Sequence, residues 1–446
     1  MSHALTTRKS SIFAMTVVVY VMLFEWKLFM ADGLRLAVDV MKLLIPAALI
    51  LWVPLRRPAT GRAVLFFVLL SLFLAWGLVP SFLSPKLDET LVQWVKFVPR
   101  LVVAALIASY VVVQPRTTAT ILKLLVIIGA LAAIQFAVLV PVYLLELGDG
   151  IEIPGVNGTF FGPFGILGDQ ASAVGWYGPP SLRVLRLTGF WPEPSNASGF
   201  LLMAFFLGKA LYSFEGRWRW KAMAYMCLLG GFATLAGAGY LAIAIAALWG
   251  LAVVERRPGR RLYTVVVGGL SIALVLFAVF SRLLATTYFD EVPLLRAAAG
   301  VRSSTELDID KLYGGRLELL ERNIQIWRDE PLGVGFRIPG QGFFDEASPS
   351  APLLWMTYTG ITGLMLLLAS FGAVLCAAIS GPRRSIVAGK IAQAWIALLV
   401  QHVSYGSWMS PIFLLVSVLV LLGDRAWEPR EREVIESERQ LWSQPV

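Results

Sequence analysis

Two clusters of arginine stand out in this chain because the residues around them could hold an anion. The first is Arg183-Val-Leu-Arg186-Leu-Thr-Gly189-Phe-Trp191-Pro-Glu193-Pro-Ser195-Asn196. A guanidinium fork meets two phosphate oxygens at once and keeps its charge. Ser195 or Asn196 would also cap a following helix, leaving its N-terminal amides to face an anion. The plainer alternative is an Arg186–Glu193 ion pair beside an ordinary cap. The second cluster opens with Gly314-Gly315-Arg316 and shares its segment with Arg296, Arg302, Arg322, Arg328 and Arg337. Glu306, Asp308, Asp310, Glu318 and Glu321 are interspersed, so most of these arginines read as solvated pairs that contribute little. Arg316 differs by its position, following two glycines and opening a helix.

A third group lies where charge is most costly. Gln93, Lys96 and Arg100, at i, i+3 and i+7, share one face of an apolar stretch. Ionisable residues inside a membrane usually face a bundle interior or a wet cavity and mark function. Lys96 alone could instead snorkel to the headgroups. Arg100 lies about 15 Å below the expected helix start at 1.5 Å per residue, too deep for that, and reads as cavity-lining. Asp39 and Lys42, at i and i+3 in another apolar stretch, read as a structural pair that satisfies itself. The chain has two histidines, His3 and His402, and two cysteines, Cys227 and Cys376, both inside apolar stretches. Buried inert thiols are expected, with neither a disulfide framework nor metal-ligand spacing.

The elements that must position these residues are membrane helices. Hydrophobic residues make up 57% of the 446 and charged ones 15%, with a mean hydropathy of +0.72. No soluble globular domain has that balance, so a polytopic, all-α membrane protein is expected. Twelve apolar spans can be placed, at 11–31, 35–55, 63–83, 90–112, 118–145, 197–213, 220–235, 237–254, 262–281, 352–379, 386–401 and 404–423. Arg8-Lys9 precede a first span too long for a signal peptide and without a cleavage site, so that helix is expected to stay.

Lysine and arginine give the orientation. Arg8/Lys9, Arg56/Arg57/Arg62, Arg116, Arg217/Arg219/Lys221, Arg256/Arg257/Arg260/Arg261, Arg383/Arg384 and Arg425/Arg430/Arg432 fall at every second boundary. Both termini are then cytoplasmic. The split of 220–254 at Ala236-Gly237-Ala238-Gly239 is required, because one merged span would put Arg256–Arg261 outside. The net charge of +9 is thus a topogenic signal, not a nucleic-acid footprint. The chain reads as one integral membrane domain, 1–446, with two long outer loops at 147–196 and 282–350 and a charged cytoplasmic tail at 424–446. The first loop is glycine- and proline-rich, ordered irregular backbone on the membrane surface. The second holds an amphipathic helix at 316–329, with Leu317, Leu320, Ile324 and Trp327 on one face, ended by Pro331 and Gly333-Val334-Gly335.

Three stretches carry a resemblance. Gly315-Arg316-Leu317-Glu318-Leu319, then Trp327-Arg-Asp-Glu-Pro331-Leu-Gly333-Val-Gly335, then Leu353-Leu354-Trp355-Met-Thr-Tyr-Thr-Gly360-Ile-Thr-Gly363 is similar to the signature region of the O-antigen polymerase/ligase family. Arg186-x-x-Gly189-Phe-x-x-Glu193-Pro194-Ser195 resembles that family's other motif, before the helix that follows the first outer loop. The family comprises bacterial inner-membrane glycosyltransferases of the GT-C type that act on undecaprenyl-diphosphate-linked glycans. The resemblance implies a metal-independent, cofactor-free glycosyl transfer at the periplasmic face, with Arg186 and Arg316 as catalytic residues. Lys96, Arg100, Arg183 and Arg302 would bind substrate phosphates.

A base for the acceptor hydroxyl is required. Glu193 is the first choice, His402 the second (or a substrate contact), and Asp345 or Glu346 the third. The family's ligases carry a histidine where this chain has Ser348-Pro349-Ser350, so a polymerase of lipid-linked repeat units is favoured. A flippase and a chain-length regulator are the partners implied. The alternatives are a ligase moving finished glycan to another acceptor, and a lipid-linked-sugar transporter. A transporter would spread its charges through both halves of a central path.

Overall fold

Apolar runs long enough to cross a bilayer become helices in the computed structural model. It describes residues 2–25, 32–53, 60–113, 115–144, 151–152, 159–160, 174–177, 184–187, 191, 194–234, 236–254, 316–336, 351–383, 385–403 and 408–422. In chain order the helices are α1 (Ser2–Glu25), α2 (Asp32–Trp52), α3 (Gly61–Leu83), α4 (Leu87–Val113), α5 (Pro115–Leu144), α6 (Pro194–Glu215), α7 (Trp218–Ala233) and α8 (Gly237–Trp249). They continue with α9 (Arg316–Asp329), α10 (Ala351–Ser380), α11 (Ile386–Val403) and α12 (Pro411–Leu422). Between α5 and α6 lie two short antiparallel ribbons, β1 (Ile151–Glu152) with β2 (Thr159–Phe160) and β3 (Val174–Tyr177) with β4 (Val184–Leu187). The other described elements are helical.

Among the described residues, α3, α4, α5, α6, α10 and α11 each hold a stretch long and apolar enough to cross a membrane, as in a membrane protein. Two shorter apolar helices are 238–254 and Pro411–Leu422. A described helix overlaps each expected span except 262–281, which lies outside the described residues, as does the tail 424–446. Leu51 and Leu229 are 90% and 68% exposed, side chains that in a bilayer would face lipid.

The break inside 220–254 falls where expected. Ala236 is extended at φ −90°, ψ 113°, and Thr234 Oγ1 donates to Gly231 O at 2.7 Å, closing the end of α7. Just after α8 the chain forms a π-helical turn, Gly250–Val254. Gln393 on α11 donates Nε2 to Ala246 O at 3.0 Å, so a carbonyl next to that irregular turn gains a second donor.

α6 lies at the centre, packing most extensively against α7 and α11 and also against α5, while α10 packs on α3 and α8 on α11. Phe200 through Leu207 are all buried, which a helix apolar all round requires. Small residues let backbones approach, as where Gly208 faces Ala224. Polar side chains bridge helices: Trp395 Nε1 donates to Ser417 Oγ at 2.9 Å, and Gln401 Nε2 donates to Ser195 O at 2.7 Å.

Three local expectations need correction. α6 begins at Pro194, so Ser195 and Asn196 are helical residues and do not cap it; proline at the first helical position needs no amide donor. α4 begins at Leu87, not 90, because Asp88 and Glu89 suit the first turn of a helix. Cys376 is exposed on α10, whereas Cys227 is buried as expected.

Candidate functional site

Arg100 gathers residues from three segments around the middle of α4. It lies thirteen residues past Leu87, about 20 Å along that 27-residue helix. The turn leading into α12 reaches it there, and Nη1 donates to Met409 O at 3.1 Å. Two rings enclose the guanidinium, Phe97 with its centroid at 4.6 Å and Phe24 at 4.8 Å. Such stacking suits the delocalised cation and fixes the plane of its fork. Its Nε is buried without a partner among the described residues, as is the hydroxyl of Tyr20. Tyr20 and Glu25, both on α1, lie within electrostatic reach of the cation. Glu25 is thus a counter-charge supplied within the fold, which offsets part of the cost of burying the cation, and Nε is the donor left without an acceptor among the described residues.

The expected companions of Arg100 divide. Lys96, one turn nearer the start of α4, is exposed, while Arg100 turns inward. Asp39 and Lys42 form the anticipated pair, at 3.2 Å, and Lys42 Nζ stands 4.8 Å from the Phe24 centroid.

The start of α6 meets the end of α11 through the Gln401–Ser195 bond. Gly199 makes the approach possible, since a methyl there would overlap the Gln401 amide. His402, 5% exposed, follows directly; its ring centroid is 5.6 Å from that of Phe413 and its Nδ1 has no partner among the described residues. Trp191 Nε1, Ser198 Oγ and Trp408 Nε1 are also buried without a partner among the described residues. An unpaired buried polar atom costs about 1–3 kcal/mol. Glu193 lies outside the described residues.

The second motif assembles on itself. α9 has the bounds its periodicity predicts, and Arg316 is its first residue. Its buried Asn323 accepts from Thr357 Oγ1 at 3.2 Å. Beyond α9, Gly333 and Gly335 have φ of 97° and 84°, and the segment between them pairs with α10. Val334 N donates to Thr357 O at 2.9 Å and Gly335 N to Tyr358 O at 3.0 Å. α10 is broken at Gly360 (φ 66°, ψ −177°), which frees these carbonyls. Trp76 Nε1 takes the next one, Thr359 O, at 2.8 Å. Every carbonyl named here has a donor, as a break at membrane depth requires.

Arg186 lies on β4, opposite Gly175 on β3. Arg183 and Arg302 fall outside the described residues, as do Asp345 and Glu346. Sequence reasoning missed Tyr20, Phe24 and Glu25; a carboxylate at the end of the first apolar run was the available signal. It also missed Phe336, for which the only cue was its place after Gly333-Val334-Gly335. Among the described residues no three His, Cys, Asp or Glu side chains gather to hold a metal ion. In comparisons with known proteins, the chain matches no family model and no curated protein.

Proposed function

We propose that this protein is a polysaccharide polymerase of a bacterial inner membrane, a GT-C-type glycosyltransferase with twelve spans and both termini in the cytoplasm. It joins oligosaccharide repeat units carried on polyprenyl diphosphate at the periplasmic face. The acceptor hydroxyl of one lipid-linked unit attacks the anomeric carbon of the growing glycan. The bond from that carbon to the diphosphate oxygen breaks, the diphosphate leaves with the electron pair, and the hydroxyl proton passes to a base. Glu193 is the first candidate for that base and His402 the second. Arg186 and Arg316 stabilise the charge that develops on the leaving diphosphate, which preorganised cations at a membrane surface do well. Lys96, Arg100, Arg183 and Arg302 bind the substrate phosphates. A flippase would deliver the substrate and a chain-length regulator would act on the product.

One observation carries this reading beyond the motif resemblance: Arg100. Its guanidinium is held between two rings, with Nη1 on Met409 O and Nε unpartnered among the described residues. A phosphate oxygen of the lipid-linked substrate would take that remaining donor. The test uses the full chain in liposomes, supplied with a polyprenyl-diphosphate-linked oligosaccharide. Products longer than one repeat support the reading. Movement of the lipid across the bilayer without chain growth would make the protein a transporter.

A further inference from the structure

The residue that follows Gly335 inserts its ring into the membrane helices. Phe336 is wholly buried, with its centroid 5.1 Å from that of Phe97, 6.1 Å from Phe73 and 6.1 Å from Trp355. Gly77 on α3 leaves the room, because a side chain there would overlap the ring. Phe336 N lies 3.4 Å from Ser81 Oγ, its donor contact with the same helix. Phe97, in turn, is one of the two rings that hold Arg100. A continuous packed path therefore runs from α9, through the backbone pairing of Val334 and Gly335 with α10, through the Phe336 ring, to the Arg100 guanidinium.

We propose that Phe336 is a positioning residue: by fixing the Phe97 ring it sets the Arg100 guanidinium in a defined place relative to the paired Val334–Gly335 segment and α10, so that Arg100 meets the substrate phosphates in one geometry. This rests on the polymerase reading for its consequence, though not for the coupling itself. Interdigitated aromatic rings transmit a displacement because close-packed interiors have few voids to absorb it.

Two arms separate the coupling from the function. In the first, Arg100→Cys is alkylated with a small maleimide in the full chain, alone and combined with Phe336→Leu. The coupling predicts roughly tenfold faster alkylation in the double variant, since the loosened Phe97 ring uncovers position 100; an unchanged rate overturns it whatever the chain's activity. The second arm measures polymerisation for Phe336→Leu, Arg100→Lys and the pair. Phe336→Leu should lower kcat about tenfold with KM within twofold, and should add little once Arg100 is already lysine. Losses that multiply in the pair would mean a merely structural role and overturn the proposal. Gly77→Ala shifts the ring without removing it and should mimic Phe336→Leu should that variant fold poorly. Faster alkylation with no polymerisation by the parent protein would support the coupling and overturn the polymerase reading alone.

Discussion

At the residue scale, Arg100 was visible in the sequence because charge is rare in apolar runs and expensive there. Its surroundings were not visible. Phe24 and Glu25 belong to α1, far away in the chain, and hydropathy contains nothing about which helices become neighbours. Arg100→Lys tests what the fork contributes, since an ammonium keeps the charge but neither stacks between two rings nor holds Met409 O in the same geometry. Polymerisation should fall about 10²-fold, the scale seen when a preorganised donor to a developing charge is removed. Wild-type rates in that variant would take Arg100 out of the site. The base is tested in parallel: Glu193→Gln keeps shape and removes basicity, so turnover should drop by roughly 10²–10⁴ while lipid-linked donor still binds. An active Glu193→Gln with a dead His402→Ala moves the role to His402, whose buried Nδ1 has no partner among the described residues.

At the element scale, hydrophobic periodicity and glycine placement were enough to locate α9 and the α7–α8 turn, because both signals act within a few residues. The break in α10 was not legible. Gly360 lies inside a single apolar span, 352–379, among threonines that a helix tolerates, and its conformation is set by the Pro331–Leu332 backbone packed against it. The start of α6 was displaced for a similar reason: serine and asparagine signal a cap locally, but Pro194 already suits the first helical turn. Gly360→Ala should be severely destabilising. Left-handed φ costs about 1–2 kcal/mol for an L-residue, and the new methyl would meet Pro331 O at 2.5 Å and Leu332 backbone at 2.8 Å, atoms that cannot swing aside. A total of roughly 2–4 kcal/mol is expected, read as a lowered Tm in detergent. Gly372→Ala is the matched control on the same helix, with nothing within 4 Å of its added carbon. It should be neutral or raise stability by about 0.5–1 kcal/mol, the usual gain for alanine over glycine in a helix. Equal losses in the two variants would remove any special role for the break.

At the scale of the whole molecule, the proposal of an outer-face site rests on charge sidedness and loop length. Cysteines placed at 158–168 and near Gly300 should react with an impermeant thiol reagent from the periplasm, and those at Gly259 and Gly381 should not. Labelling at Gly259 from outside would break the twelve-span arrangement, because the arginines at 256–261 would then lie on the same face as Arg316. With the topology established, gene deletion separates the two transferases that share this membrane face. Loss of a polymerase leaves single lipid-linked units, or one unit on the final acceptor, since transfer to that acceptor still operates. Loss of a ligase strands full-length polymer on the carrier lipid, since chain growth still operates. Ser348-Pro349-Ser350, in place of the histidine found in the ligases this chain resembles, favours the first pattern. Glycolipid extracted from the deletion strain and resolved by size should therefore show single-repeat species and no ladder. A full ladder retained on polyprenyl diphosphate would instead make this protein the ligase, with Arg186, Arg316 and Arg100 serving the same leaving group and only the acceptor changed.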